Sequence, residues 1–92
     1  MFVYKKDLED IEQRVIIEFE KDYSNNPEIL KEIDITITDA FFEWFHSDML
    51  YEDEEDRAEI DCMNPGRFIT EQLDACGYET ISYSLEKLNV VN

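Results

Sequence analysis

Between Asp48 and Asp61 the chain carries eight carboxylates and one base, and residues 52–56 are all acidic. Like charges four apart on a helix repel by roughly 0.2–0.5 kcal/mol per pair. Selection for stability alone does not concentrate charge in this way. A solvated, partly disordered loop is the plain explanation for an isolated acidic run, but the rest of the charge is placed unevenly too. Residues 1–31 carry a net −3, residues 32–61 a net −11 and residues 62–92 a net −2. Most of the excess lies in one third of the chain, the third that also holds the densest aromatic cluster, Phe41, Phe42, Trp44 and Phe45. An acidic tail that merely aids solubility seldom sits in the middle of a folded domain. The placement points to a basic partner.

Ninety-two residues make one small domain, able to bury roughly 60–68% of the surface its unfolded chain exposes. Hydrophobic residues at 43%, with 13% aromatic, argue against disorder of the whole chain. Two glycines and two prolines leave few tight turns and favour long elements over a many-stranded barrel. The total charge of −16 far exceeds the magnitude of about 2–8 that solubility asks of a small domain. Self-repulsion destabilises the compact state, so the excess is retained for a purpose. It excludes direct nucleic-acid binding, which needs Lys and Arg on the phosphates, and disfavours anionic membrane surfaces.

The opening residues Met1-Phe2-Val3-Tyr4-Lys5-Lys6 lack the apolar core of a signal peptide, and no run approaches a membrane span. A cytoplasmic protein is expected. Cys62 and Cys76 are too few and too far apart for a disulfide framework or a zinc site. They read as reduced thiols, one or both buried.

The apolar pattern predicts an α+β domain. Leu8, Ile11, Val15, Phe19 and Tyr23 recur at three- and four-residue steps, giving a first helix that ends at Ser24-Asn25-Asn26-Pro27. Pro27 opens a short helical segment through Glu32. Ile33, Ile35 and Ile37 then alternate with Asp34, Thr36 and Thr38, the period of a strand. A second main helix follows, capped by Thr38 or Asp39, with Phe41, Phe42, Phe45 and Met49 on one face and Trp44, Asp48 and Tyr51 on its flank. Carried further, it would set Asp48, Glu52, Glu55, Asp56 and Glu59 on one ridge; if it stops, these acids form a loop. Asn64-Pro65 starts a third helix with Phe68, Ile69, Leu73 and Cys76 on its apolar face, ending at Gly77. Ile81, Tyr83 and Leu85 mark a second strand. The expected architecture is a small antiparallel sheet, with strands near 33–38 and 79–85, packed against three main helices.

No active site is legible. His46, the only histidine, has no cysteine or serine pattern beside it, and no glycine-rich phosphate loop, nucleophile elbow or zinc spacing occurs. A catalytic carboxylate pair needs environments that push two pKa values apart, which a solvated block of acids does not supply. Calcium wants oxygen ligands on a sharply turning loop with glycine at the turn, and residues 52–61 contain no glycine. No cofactor and no metal are expected, and a small metal-dependent enzyme is a remote reading. By default the aromatic cluster is core, but four large rings cannot all be buried equally in a two-layer domain this small. Phe42, Trp44, Phe45 and Tyr51 are therefore candidates for a dimer or partner contact.

Acids four apart on a helix are ~6 Å apart along its axis, while duplex DNA presents one charge per ~1.7 Å of axis. Two acidic ridges, from two subunits or two elements, could approximate the phosphate rows flanking a groove. A basic DNA-binding cleft would then meet carboxylates in place of phosphates, with no scissile bond. The residues proposed for this role are Asp39, Glu43, Asp48, Glu52, Asp53, Glu54, Glu55, Asp56, Glu59 and Asp61. In length, charge, lack of a catalytic motif and α+β pattern, the chain resembles the small acidic anti-restriction proteins of bacteriophages. It is most similar to the Arn family of anti-restriction nuclease proteins. The resemblance is one of type, covers the whole chain and transfers no residue position by position. It implies a DNA-mimic inhibitor of a McrBC-like host restriction endonuclease, acting in the host cytoplasm, with a nucleoid protein such as H-NS as a further target. A homodimer is expected from the aromatic helix face. The alternative is an acidic regulatory or assembly adaptor that binds a basic protein surface without imitating DNA.

Overall fold

Val15-Ile16-Ile17 is a run of β-branched residues, and such residues suit a pleated, half-buried surface. In the computed structural model, which describes residues 2–47, 54–55 and 64–88, this run is the centre of a strand. Strands β1 (Phe2–Leu8) and β2 (Gln13–Phe19) form an antiparallel hairpin with Leu8 opposite Gln13 and Phe2 opposite Phe19. A 3-10 turn at Glu9–Ile11 joins them. Glu12 closes it in the left-handed region (φ 54°, ψ 41°), its N–H donating to the Glu9 carbonyl at 3.0 Å. Helix α1 (Pro27–Phe45), helix α2 (Pro65–Ala75) and strand β3 (Thr80–Lys87) follow. The sheet order is β1-β2-β3, antiparallel throughout, with β2 in the middle. Between Glu18 and Phe19 the β2–β3 register steps from Ser82 to Thr80. Ile81 is left outside the pairing and 56% exposed, as at a β-bulge.

Three sequence expectations are overturned. Residues 7–23 are no helix: Leu8, Val15, Ile17 and Phe19 point into the core from two paired strands. The apolar positions fit both periods, and pairing with β1 across the turn and with β3, more than sixty residues further on, decides between them. Residues 33–38 are no strand: they lie inside α1. Ile33, Ile37, Ala40 and Phe41 are buried, a helical spacing, while Ile35 is 48% exposed. The described residues thus contain a three-stranded antiparallel sheet and two main helices, not the expected three. Of the two strands expected, the one near 79–85 is present as β3 and the one near 33–38 is not. The general class, α+β, stands.

The aromatic cluster is also redistributed. Because α1 begins at Pro27, its inward face is fixed by Ile33 and Ile37, and Phe41 and Trp44 continue that face. Phe41 is buried and stacks on Trp44, which packs against the core. Phe42 and Phe45, expected on the same face as Phe41, are 56% and 41% exposed.

Asn64-Pro65 starts α2 as expected, and Pro27 opens α1, which runs on to Phe45 instead of stopping at Glu32, with Asn26 as its cap. Asn26 Oδ1 accepts from the Ile29 N–H at 3.2 Å and Asn64 Oδ1 from the Arg67 N–H at 2.8 Å. Gly77, at φ +91°, ends α2, with the Tyr78 N–H donating to the Leu73 carbonyl at 3.0 Å, a left-handed C-terminal cap. Phe68, Ile69 and Leu73 of α2 complete a single core with the inner residues of the sheet and α1. A polar tie joins β1 to α1: Lys6 Nζ and the Tyr4 hydroxyl each donate to Asp34 Oδ1 at 2.8 Å. The lysine bond holds Asp34 below the usual carboxylate range, while burial and then Asp34 push the Tyr4 hydroxyl up to about 12.

Candidate partner-binding surface

Helix α1 positions the acids that can be placed. Its nineteen residues span roughly 28 Å at 1.5 Å per residue. Glu28, Glu32 and Asp39 are exposed along it, and Glu43 is half-buried. On the helical wheel Glu32, Asp39 and Glu43 share one flank, with axial steps of about 10 Å and 6 Å. Asp34 lies on the other side, held by Lys6 and Tyr4. Of the ten acids expected to mimic phosphates, Asp39 and Glu43 thus fall together on α1, and Glu54 and Glu55 are exposed residues in helical conformation. Asp48, Glu52, Asp53, Asp56, Glu59 and Asp61 lie outside the described residues, as do Tyr51 and Cys62.

The flank carrying Glu32, Asp39 and Glu43 faces the C-terminal end of α2 across a shallow depression. One part, of 360 Å³, is lined by Glu32, Ile35, Thr36, Cys76 and Tyr78. The adjoining part, of 200 Å³, is lined by Thr36, Asp39, Ala40, Glu43, Gln72 and Cys76. Shared walls at Thr36 and Cys76 make the two one groove. Among the described residues its lining has three carboxylates and no base. The Tyr78 hydroxyl donates to Glu32 Oε2, fixing that carboxylate at the groove's edge and pushing the tyrosine up to about 12. Cys76, expected on the apolar face of α2, is instead an exposed free thiol, because it follows the last turn of the helix.

Sequence reasoning found Asp39 and Glu43 by charge, but missed Glu32, Ile35, Cys76 and Tyr78 as their neighbours. The signal was present in the asparagine cap at 26: a helix begun there brings Glu32, Asp39 and Glu43 to one side. His46 packs against Phe42 at 4.5 Å and edge-on to Phe45 at 5.1 Å, which makes it part of the exposed aromatic end of α1.

Elsewhere the charges are locally arranged. On the outer sheet face Arg14 Nε meets Asp7 Oδ1 at 2.6 Å and Ser82 Oγ donates to Glu18 Oε2 at 3.0 Å. A second hollow at the hairpin end mixes Asp7, Glu9, Glu12 and Glu86 with Arg14 and Lys87. Among the described residues no group of three or more His, Cys, Asp or Glu could hold a metal ion, and no helix is long and apolar enough to cross a membrane.

One pair of acids is in direct opposition. The Glu20 N–H donates to the Glu79 carbonyl at 3.1 Å, and the two side chains share a hydrogen bond that raises the Glu20 carboxyl above its usual 4.5. A carboxyl raised by folding contributes stability below its unfolded value and loses it as pH rises through the folded value. At neutral pH the pair is therefore a repulsion. Glu20→Gln keeps a donor and removes the charge, so it should raise Tm at pH 7 and lose that advantage near pH 4. Thermal melts across this range test the point; an advantage independent of pH would refute it.

No protein-family model, no curated protein and no solved structure matches the chain.

Proposed function

We propose that the protein is a DNA-mimic inhibitor: a folded scaffold whose carboxylates occupy the DNA-binding cleft of a basic protein, of which a McrBC-like restriction endonuclease is the first candidate and a nucleoid protein such as H-NS the second. The observation that carries this reading is the segregation of charge. Residues 32–61 hold a net −11 of the chain's −16, and the part of that segment on α1 presents Glu32, Asp39 and Glu43 along one side of a helix packed into the core. Acids anchored in this way keep their spacing when a partner approaches. Complementary potential speeds association and favours basic partners. Pairing of two copies through Phe42 and Phe45 would set two such rows side by side.

The exposed rings of Phe42 and Phe45 favour the second reading, an adaptor, because a phosphate row has no apolar counterpart. Competition separates the two. A mimic displaces duplex DNA from the endonuclease and inhibits cleavage, with affinity falling steeply as salt rises; an adaptor binds beside the DNA in a ternary complex. Reversing Glu52, Glu55 and Glu59 to Lys should abolish inhibition while the circular dichroism spectrum stays unchanged. Full inhibition by the folded triple variant would remove those residues from the contact.

A further inference from the structure

The groove between α1 and the end of α2 has a chemistry distinct from a row of phosphates. Its floor is apolar, with Ile35 half-exposed beside Cys76 and the Tyr78 ring, and acids stand along one wall. An apolar floor with carboxylates at its rim, and no base among the described lining residues, matches one kind of side chain. Lysine and arginine lay an apolar stem along apolar surface while the charged head reaches the edge, and hydrogen bonds from such heads to carboxylates are the strong, charge-assisted kind. A second copy paired through Phe42 and Phe45 would set its own Glu32, Asp39 and Glu43 beside these acids and would supply no cation to the groove.

We propose that this groove seats an arginine- or lysine-bearing segment of the protein's basic partner, with the stem over Ile35 and Cys76 and the head among Glu32, Asp39 and Glu43. The assignment rests on the reading of the protein as a binder of basic surfaces and adds where the contact is made. Tyr78 acts as a positioning residue: by donating to Glu32 Oε2 it holds that carboxylate at the groove. Cys76 lies in both parts of the groove, so its thiol reports occupancy directly.

The test uses the full chain with Cys62→Ser, so that Cys76 is the sole thiol, and follows its alkylation with and without a peptide of alternating arginine and leucine. The peptide should protect Cys76, and Asp39→Asn should weaken that protection roughly tenfold, the effect of losing one charge-assisted hydrogen bond. Ile35→Ser should weaken it as well, whereas Ile35→Ser should leave binding of oligolysine to the rest of the acidic surface unchanged. Replacing Glu9 and Asp10 by Lys, a larger charge change at the far hairpin end, should leave protection intact. If this remote reversal weakens protection as much as Asp39→Asn does, or if Cys76 reacts at the same rate with saturating peptide, the groove is not the seat. Displacement of duplex DNA from the endonuclease is read in parallel. Displacement without protection of Cys76 rejects the groove and leaves the mimic standing. Protection without displacement keeps the groove and rejects the mimic.

Discussion

Ile37→Ala should cost about 2–5 kcal/mol of stability, the range for truncating a large aliphatic side chain in a core. The same substitution at Ile35 should change stability by less than about 0.5 kcal/mol. Ile37 has no exposed surface, whereas Ile35 is 48% exposed. Alanine is also the better helix former, which offsets what little packing Ile35 loses. A domain of this size has a total stability of only about 5–15 kcal/mol, so the Ile37 variant should melt many degrees lower, at roughly 4–8 °C per kcal/mol. The contrast tests the backbone as well as the packing. A strand through residues 33–38 would bury Ile33, Ile35 and Ile37 alike, and urea midpoints would then fall together for all three alanine variants. A helix buries the first and third only. Equal losses at positions 35 and 37 would overturn α1 as described.

That contrast also locates what was legible in the sequence. Local chemistry came through in part: Asn64-Pro65 and Pro27 start helices because the asparagine oxygen and the missing proline N–H act within one turn, while Asn26, read as the end of a helix, caps one instead. Gly77 ends α2 because its positive φ is local as well. The sheet did not come through. Leu8, Ile11, Val15 and Phe19 satisfy a helical stripe while Val15, Ile17 and Phe19 satisfy a strand, and the deciding partners lie in β1 and β3, the latter more than sixty residues away. The hairpin turn carried no warning, since its left-handed position is filled by Glu12 and not by glycine. In α1 the exposed Ile35 completed a false alternation between two buried isoleucines. The groove inherits the same difficulty. Charge singled out Asp39 and Glu43, but their grouping with Glu32, Cys76 and Tyr78 depends on α1 and α2 packing together, which no local pattern encodes.

Gly66→Ala is the other substitution with a large expected effect, and its cause is contact with Tyr83. Gly66 is buried in the first turn of α2, and a Cβ there would lie 2.7 Å from Cε2 of the Tyr83 ring and closer still to Cδ2. The ring is not at liberty to swing aside. Its hydroxyl accepts a hydrogen bond from Asn64 Nδ2 at 3.0 Å, and the same asparagine caps α2 through the Arg67 N–H. Moving Tyr83 therefore loosens the cap that starts the helix and shifts β3 against it. Overpacking of this kind costs about 1–3 kcal/mol, more than the helix propensity that alanine gains over glycine, at most about 1 kcal/mol. The net result is a destabilised protein. In a Tyr83→Ala background the obstructing ring is gone, and Gly66→Ala should become neutral or mildly stabilising, since only the propensity gain remains. The two substitutions should thus be strongly non-additive, as residues in contact are. The same loss from Gly66→Ala in both backgrounds would mean that the helix does not rest its first turn on the tyrosine ring.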